Sequence, residues 1–374
     1  MAFLTTMVRI LLYILSTAFV FLFVVDLTDL RNYHLETVAN MPSKNKFLRL
    51  LSFCQSHIFH FRASGLLLLT CIKFNTIAAF TQNLWRMSKK AFLRGFILFL
   101  VLSFGRMIPS WIAQLMFTDS GSDAPLILYS FFAVPADVMV INIYEIGGLA
   151  NIMAYLYLSY FVVVCIITCS EMEALHAALE SPEQNPFSIL YKYLVFHTRF
   201  NESRLVMRNL LLVYMVALFL ESGAYVVRVV DLVAGFATQD PKSLVDDTIV
   251  IVDQIVLAVA QLMCLHMQMC AVGDKHHRIL EKIDDIGNIP IDMHSRKDAL
   301  STDAGNRCIA LARTLSASER PLGFAVGTFC EFDRKVLLLM IGCLGSLIEF
   351  AINRTDEMGQ NYCYIPVTGN GTTA

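Results

Sequence analysis

Long apolar runs separated by short polar stretches dominate this chain of 374 residues. The hydrocarbon layer of a bilayer is about 30 Å thick, and a helix rising 1.5 Å per residue needs roughly 20 apolar residues to cross it. Seven runs meet that requirement: residues 9–27, 63–83, 91–117, 148–170, 209–235, 248–272 and 334–353. An eighth, 125–146, carries Pro135, Asp137 and Glu145 and ends at Gly147-Gly148, so it reads as a short helix on or dipping into the extracellular surface. The first run is expected to stay as a helix and not to be cleaved as a signal peptide. A single arginine precedes its apolar part, and no small-residue cleavage pattern follows.

Composition agrees with the pattern. The chain is 56% hydrophobic and 16% charged, whereas soluble domains run at about 45–50% apolar and about 25% charged. Cys71, Cys165, Cys169, Cys264, Cys270 and Cys343 fall inside apolar runs, where cysteine acts as a small hydrophobe and not as part of a disulfide framework. A net charge of -2 gives nucleic acid no electrostatic hold. The expected class is therefore an all-α polytopic membrane protein of the plasma membrane, with the lipid bilayer as its first partner.

Lysine and arginine concentrate in cytoplasmic loops, and here they alternate strongly. Arg86, Lys89, Lys90 and Arg94 follow the second run; Lys192, Arg199, Arg204 and Arg208 follow the fourth; another group runs from Lys275 to Arg320. Residues 118–147 hold neither type, and 236–247 hold only Lys242. This places the amino terminus inside and the carboxyl terminus outside. Two features resist: the first outer loop carries Arg31, Lys44, Lys46, Arg49 and Arg62, and the sequon at Asn201 falls on an inner loop. The sequons at Asn353 and Asn370 fall on the outer tail and are the expected glycosylation sites.

Amphipathic stretches flank the inner ends of the runs, such as EMEALHAALE, FSILYKYLVFHTRF and HHRILEKIDDI. The later spans are thus expected to continue into a common cytosolic helical stem. The division follows: 1–272 as a six-helix bundle with its loop helices, 273–333 as cytosolic loop and anchor helices, 334–353 as the last span, and 354–374 as the tail.

Charges inside apolar spans cost roughly 2.5–3.5 kcal/mol each and so mark function or pairing. Glu221 lies deep in the fifth run with Tyr225 one turn on and Arg228 two turns on, all on one helix face. That face either lines a polar cavity or contacts Lys73 or Arg106 on a neighbouring helix. Gln254, Gln261 and Gln268 recur every seventh residue of the sixth run and face a neighbouring helix or a ligand-facing wall. Tyr155 and Tyr160 in the fourth run are either interfacial anchors or walls of a small-molecule pocket. The candidate ligand-binding set is Tyr155, Tyr160, Glu221, Tyr225, Gln254 and Gln261. No metal site, cofactor motif or catalytic constellation stands out, so an enzyme is not expected.

The last run opens on Arg334-Lys335, continues without charge, and closes on Glu349-Phe350. Within it, Gly342-Cys343, then LGSLI, then Glu349-Phe350 resembles the signature of the insect gustatory and odorant receptor superfamily, which is Thr-Tyr, five hydrophobic residues and Gln-Phe. The phenylalanine and spacer match; Thr-Tyr is replaced by Gly-Cys, and glutamine by glutamate. The resemblance implies seven spans with the carboxyl terminus outside, and a ligand-gated cation channel of four like or unlike subunits. It also implies a small-molecule ligand in the outer half of the bundle. Carried onto this chain, Leu337, Ile341, Leu344, Ile348 and Glu349 become the expected pore-lining residues. An apolar ring can gate by dewetting, and a carboxylate ring favours cations. The competing reading is a seven-helix G-protein-coupled chemoreceptor of the nematode kind, which requires an outside amino terminus.

Overall fold

The computed structural model describes residues 2–33, 58, 61–117, 143–180, 186–235, 241–287 and, with short gaps, 323–349. Helices account for nearly all of it. They are α1 (Ala2–Tyr33), α2 (Phe61–Ile72), α3 (Phe74–Met87), α4 (Lys89–Phe117), α5 (Ile143–Glu180), α6 (Pro186–Gly235), α7 (Pro241–Gly287) and a short α8 (Leu338–Leu347). Strands β1 (Ala325–Val326) and β2 (Cys330–Glu331) form one small antiparallel hairpin.

Among the described residues, the stretches Thr6–Val25, Asn151–Glu180, Tyr191–Val226 and Ile255–Ile283 are long and apolar enough to cross a membrane. The bent pair α2–α3 would make a fifth if counted as one span. The three longest helices, α5, α6 and α7, have 38, 50 and 47 residues. At 1.5 Å per residue, α6 is about 75 Å long, more than twice a hydrocarbon core. The amphipathic stretches flanking the fourth, fifth and sixth runs are therefore continuations of the spanning helices and not separate elements.

α5 is the hub. It packs against α3, α4, α6 and α7, and 72% of its apolar window is buried, against 12% for α1. α1 is apolar on every side and presents Leu11, Ile14 and Phe21 outward, as a helix facing lipid would. Its threonines bond to their own backbone, Thr17 Oγ1 donating to the Tyr13 carbonyl at 2.8 Å and Thr28 Oγ1 to that of Val24 at 3.1 Å. Such back-bonding lets a hydroxyl sit on an apolar helix without an outside partner. The α4–α5 seam needs a glycine: a Cβ on Gly95 would overlap Val163 Cγ2 and lie 3.2 Å from the Ser159 carbonyl. Absence of that side chain lets the two backbones approach closely.

The second expected span, 63–83, is not a straight helix. It bends by 88° at Lys73, whose φ of -102° and ψ of 19° leave helical geometry. Hydrogen bonding continues across the corner, from Lys73 N to the Leu69 carbonyl and from Ile77 N to the Lys73 carbonyl. The sequence explains the turn. Beyond Lys73, α3 buries Phe74 and Leu84 while exposing Asn75, Thr76, Gln82 and Asn83. A helix with that polar face gains nothing by crossing lipid.

The stretch 125–146 lies outside the described residues except for its last four, which open α5. Cys54 and the sequons at Asn353 and Asn370 also lie outside them.

Candidate functional site

Several polar groups of the bundle interior converge on one arginine. Arg62, on α2, is fully buried. Its Nη1 donates to Glu221 Oε2 at 2.7 Å and its Nη2 to Asn151 Oδ1 at 2.7 Å, tying α2 to α6 and α5. The other carboxylate oxygen, Glu221 Oε1, accepts from the Tyr225 hydroxyl at 2.8 Å, one turn along α6. The guanidinium carbon stands 5.7 Å from the centroid of the Tyr214 ring, within cation–π range. The Tyr214 hydroxyl in turn donates to Gln261 Oε1 on α7 at 2.7 Å. Tyr155 is buried within electrostatic reach of the same guanidinium. Four helices thus share one network of a buried cation, a buried anion and their hydrogen-bond partners.

Each charge is expensive to bury alone; Arg62 is compensated by Glu221, Asn151 and the Tyr214 ring, and Glu221 by Arg62 and the Tyr225 hydroxyl. The network is therefore polar but carries no net charge. It lies at the end of the bundle remote from Glu180 and Pro186. Asn151 is 29 residues from Glu180 along α5, and Glu221 is 35 residues from Pro186 along α6, or about 45–50 Å in each case.

This arrangement corrects the sequence reading of Glu221. Its ionic partner among the described residues is Arg62, one of the basic residues that seemed misplaced in an outer loop. Lys73 stands at the α2–α3 corner, and the side chain of Arg106 is outside the described set, as is that of Arg228. Glu221, Tyr225, Gln261 and Tyr155 from the candidate set meet in one place. Tyr160 stands apart: its hydroxyl is 3.2 Å from Thr81 Oγ1, which itself donates to the Ile77 carbonyl at 2.7 Å. A parallel link joins Tyr157 to Thr70 and, at 3.1 Å, to the Leu66 carbonyl. The side chain of Gln254 is outside the described set. Sequence reasoning missed Arg62, Asn151 and Tyr214.

At the other end, the extended helices are cross-linked by polar pairs. Arg199 Nη1 donates to Glu171 Oε1 at 2.8 Å, Lys275 pairs with Glu173, and the Tyr193 hydroxyl lies 3.2 Å from Nε2 of the buried His276. The hairpin docks beside them. Gly327 N donates to the Arg208 carbonyl at 3.0 Å, Arg204 Nη2 pairs with Glu331 Oε1 at 3.0 Å, and Phe324 packs edge-on against Phe200. Gly327 has a φ of 61°, a left-handed turn that disfavours any side chain.

The last helix, like α1, is largely uncovered. Along α8 and its approach, Val336, Met340, Leu344 and Leu347 are half-buried and form one stripe. Ile341, Gly342, Gly345 and Glu349 are exposed, and Leu338 and Leu339 are 67% and 68% exposed. Of the expected pore-lining residues, Leu344 is thus on the bundle-facing edge, and Ile341 and Glu349 are open. Leu337 and Ile348 lie outside the described set.

No model of a known protein family matches this chain, and no curated protein matches its sequence. Solved structures do. The insect olfactory receptor OR5 from Machilis hrabei in complex with eugenol superposes with a TM-score of 0.54 and 11% identity, over 88% of this chain and 87% of that one. A second structure of the same receptor gives a TM-score of 0.51 and 12% identity, over 87% of this chain and 86% of that one. At such identity what is shared is architecture: this chain has the fold of the insect olfactory receptors.

Proposed function

We propose that this protein is a chemosensory receptor that works as a ligand-gated cation channel of four subunits in the plasma membrane, a divergent relative of the insect odorant and gustatory receptors. The observation that carries the reading is the fold shared with an insect olfactory receptor along nearly the whole of both chains. The proposed topology has seven spans, an inside amino terminus and an outside carboxyl terminus. The long helical ends, with residues 273–333, form a cytosolic anchor, and 334–353 forms the pore helix. The exposure of α8 supports this, since a helix with so much uncovered apolar surface needs lipid or neighbouring subunits around it. Leu337, Ile341 and Ile348 would then form apolar rings, with Leu344 at their bundle-facing edge, and Glu349 a carboxylate ring at the outer mouth.

In that topology the Arg62 network lies in the outer half of the bundle, where a ligand arrives. The related receptor was solved with eugenol, a small neutral phenol. Here Glu221 is already neutralised by Arg62, so the network offers hydrogen bonds without net charge. The proposed ligand is accordingly a small, neutral, largely apolar molecule with one or two polar groups, held beside Tyr155, Tyr225 and Gln261, with Tyr160 and Gln254 further along the wall. Binding opens the pore only through tighter binding to the open state.

The test is current. Cells expressing the chain, challenged with a panel of small neutral organics, should give a ligand-evoked cation current. Ile341→Trp should suppress it, and Glu349→Gln should lower cation selectivity. A ligand-evoked current indifferent to both substitutions would remove the pore from the last helix.

A further inference from the structure

Beside the hairpin, the α6 surface borders an open cavity of about 520 Å³ that the channel reading leaves unused. Its polar wall comes from Asn201, Arg204 and Arg208 on α6 and from Gly327, Thr328 and Glu331 on the hairpin. Two guanidinium groups thus meet one carboxylate. Arg204 is 16% exposed, and its Nη2 is held by Glu331. Its Nε is buried without a hydrogen-bond partner, a donor whose desolvation is uncompensated. Arg208 Nε reaches only its neighbour, Asn209 Oδ1, at a long 3.4 Å. Donors outnumber acceptors, and the excess charge is positive.

Position narrows the occupant. Arg208 immediately precedes the expected fifth span, 209–235, and the hairpin runs directly into the last span at Arg334. Leu205, on the same wall, is 58% exposed. A cationic cavity with an apolar lip at the inner end of two spans matches an anionic lipid, whose headgroup enters while its chains stay in the bilayer. The volume falls in the usual range of about 300–1,000 Å³ for small-molecule sites.

We infer that this cavity binds the phosphate-bearing headgroup of an anionic lipid of the cytoplasmic leaflet, held by Arg204 and Arg208. Lipid binding there would brace the hairpin that carries the last helix. The inference rests on the proposed orientation, but not on channel activity.

The experiment uses the full-length protein in phosphatidylcholine nanodiscs. Binding of a short-chain bisphosphorylated phosphatidylinositol is measured against inorganic phosphate and a soluble inositol phosphate. Saturable binding of the lipid is expected, weaker for both soluble probes. Arg208→Gln, which leaves the Arg204–Glu331 pair in place, should weaken it roughly fivefold, the scale of one cation at an anionic surface. Glu331→Gln should strengthen it by a similar factor, and Arg199→Gln, outside the cavity, should leave it unchanged. Lipid binding indifferent to Arg208→Gln, or matched by inorganic phosphate, would overturn the assignment. A cysteine placed at the exposed Thr328 separates the two readings. Labelling by an impermeant thiol reagent in intact cells would refute the orientation itself, whereas labelling only after permeabilisation, with no lipid binding, would refute the lipid site alone.

Discussion

Arg62 and Glu221 show how one contact can organise a bundle and yet be half invisible in the sequence. Glu221 stands out because a carboxylate in the middle of an apolar run must have a reason to be there. Arg62 does not, because it falls just before the apolar run, where a chain reading counts it as loop. Its anomaly in the charge count was the available signal: a basic residue on an outer loop, next to a span, can belong inside the protein. The energetics make a prediction. Removing one partner leaves the other buried and unpaired, which costs about 3–5 kcal/mol, whereas replacing both with apolar residues of similar volume is much milder. Thus Arg62→Met or Glu221→Leu alone should sharply lower the melting temperature of the detergent-purified protein. The double substitution should recover most of the loss. Additive losses would mean that the two side chains do not interact as the geometry requires.

Among the elements, the long helices were the most legible, since α5, α6 and α7 carry unbroken apolar periodicity with amphipathic continuations. Three features were not. The corner at Lys73 hides inside a run whose average is apolar, because averaging erases the polar face of α3. The hairpin spans too few residues to give an alternation signal, and only its glycine turn hints at it. The Gly95 seam depends on which residue faces it across the interface, which no local pattern records. That seam supports a test. Gly95→Leu must displace Val163 or the α5 backbone, and overpacking of this kind costs about 1–3 kcal/mol. Its thermal stability should fall by several degrees, and pairing it with Val163→Ala should restore part of the loss. Gly105 has open space around it, so Gly105→Leu should be tolerated. Equal sensitivity at both glycines would argue against the α4–α5 approach.

At the scale of the whole molecule, the sequence reading expects seven spans, and the described residues present four helices that qualify, or five with the bent pair. Part of the difference is physical, because the second run turns a corner at Lys73; the rest falls on residues outside the described set. The architecture nevertheless matches an olfactory receptor over 88% of the chain, and the alternation of basic loops supplies the direction that a fold alone lacks. Direction is the point on which the channel and the G-protein-coupled receptor part company, because they place the amino terminus on opposite sides. The most direct test is therefore antibody access to tags at the two ends of the full-length chain in intact and permeabilised cells. The account predicts a carboxyl-terminal tag stained in intact cells and an amino-terminal tag stained only after permeabilisation. An amino-terminal tag stained in intact cells would contradict it.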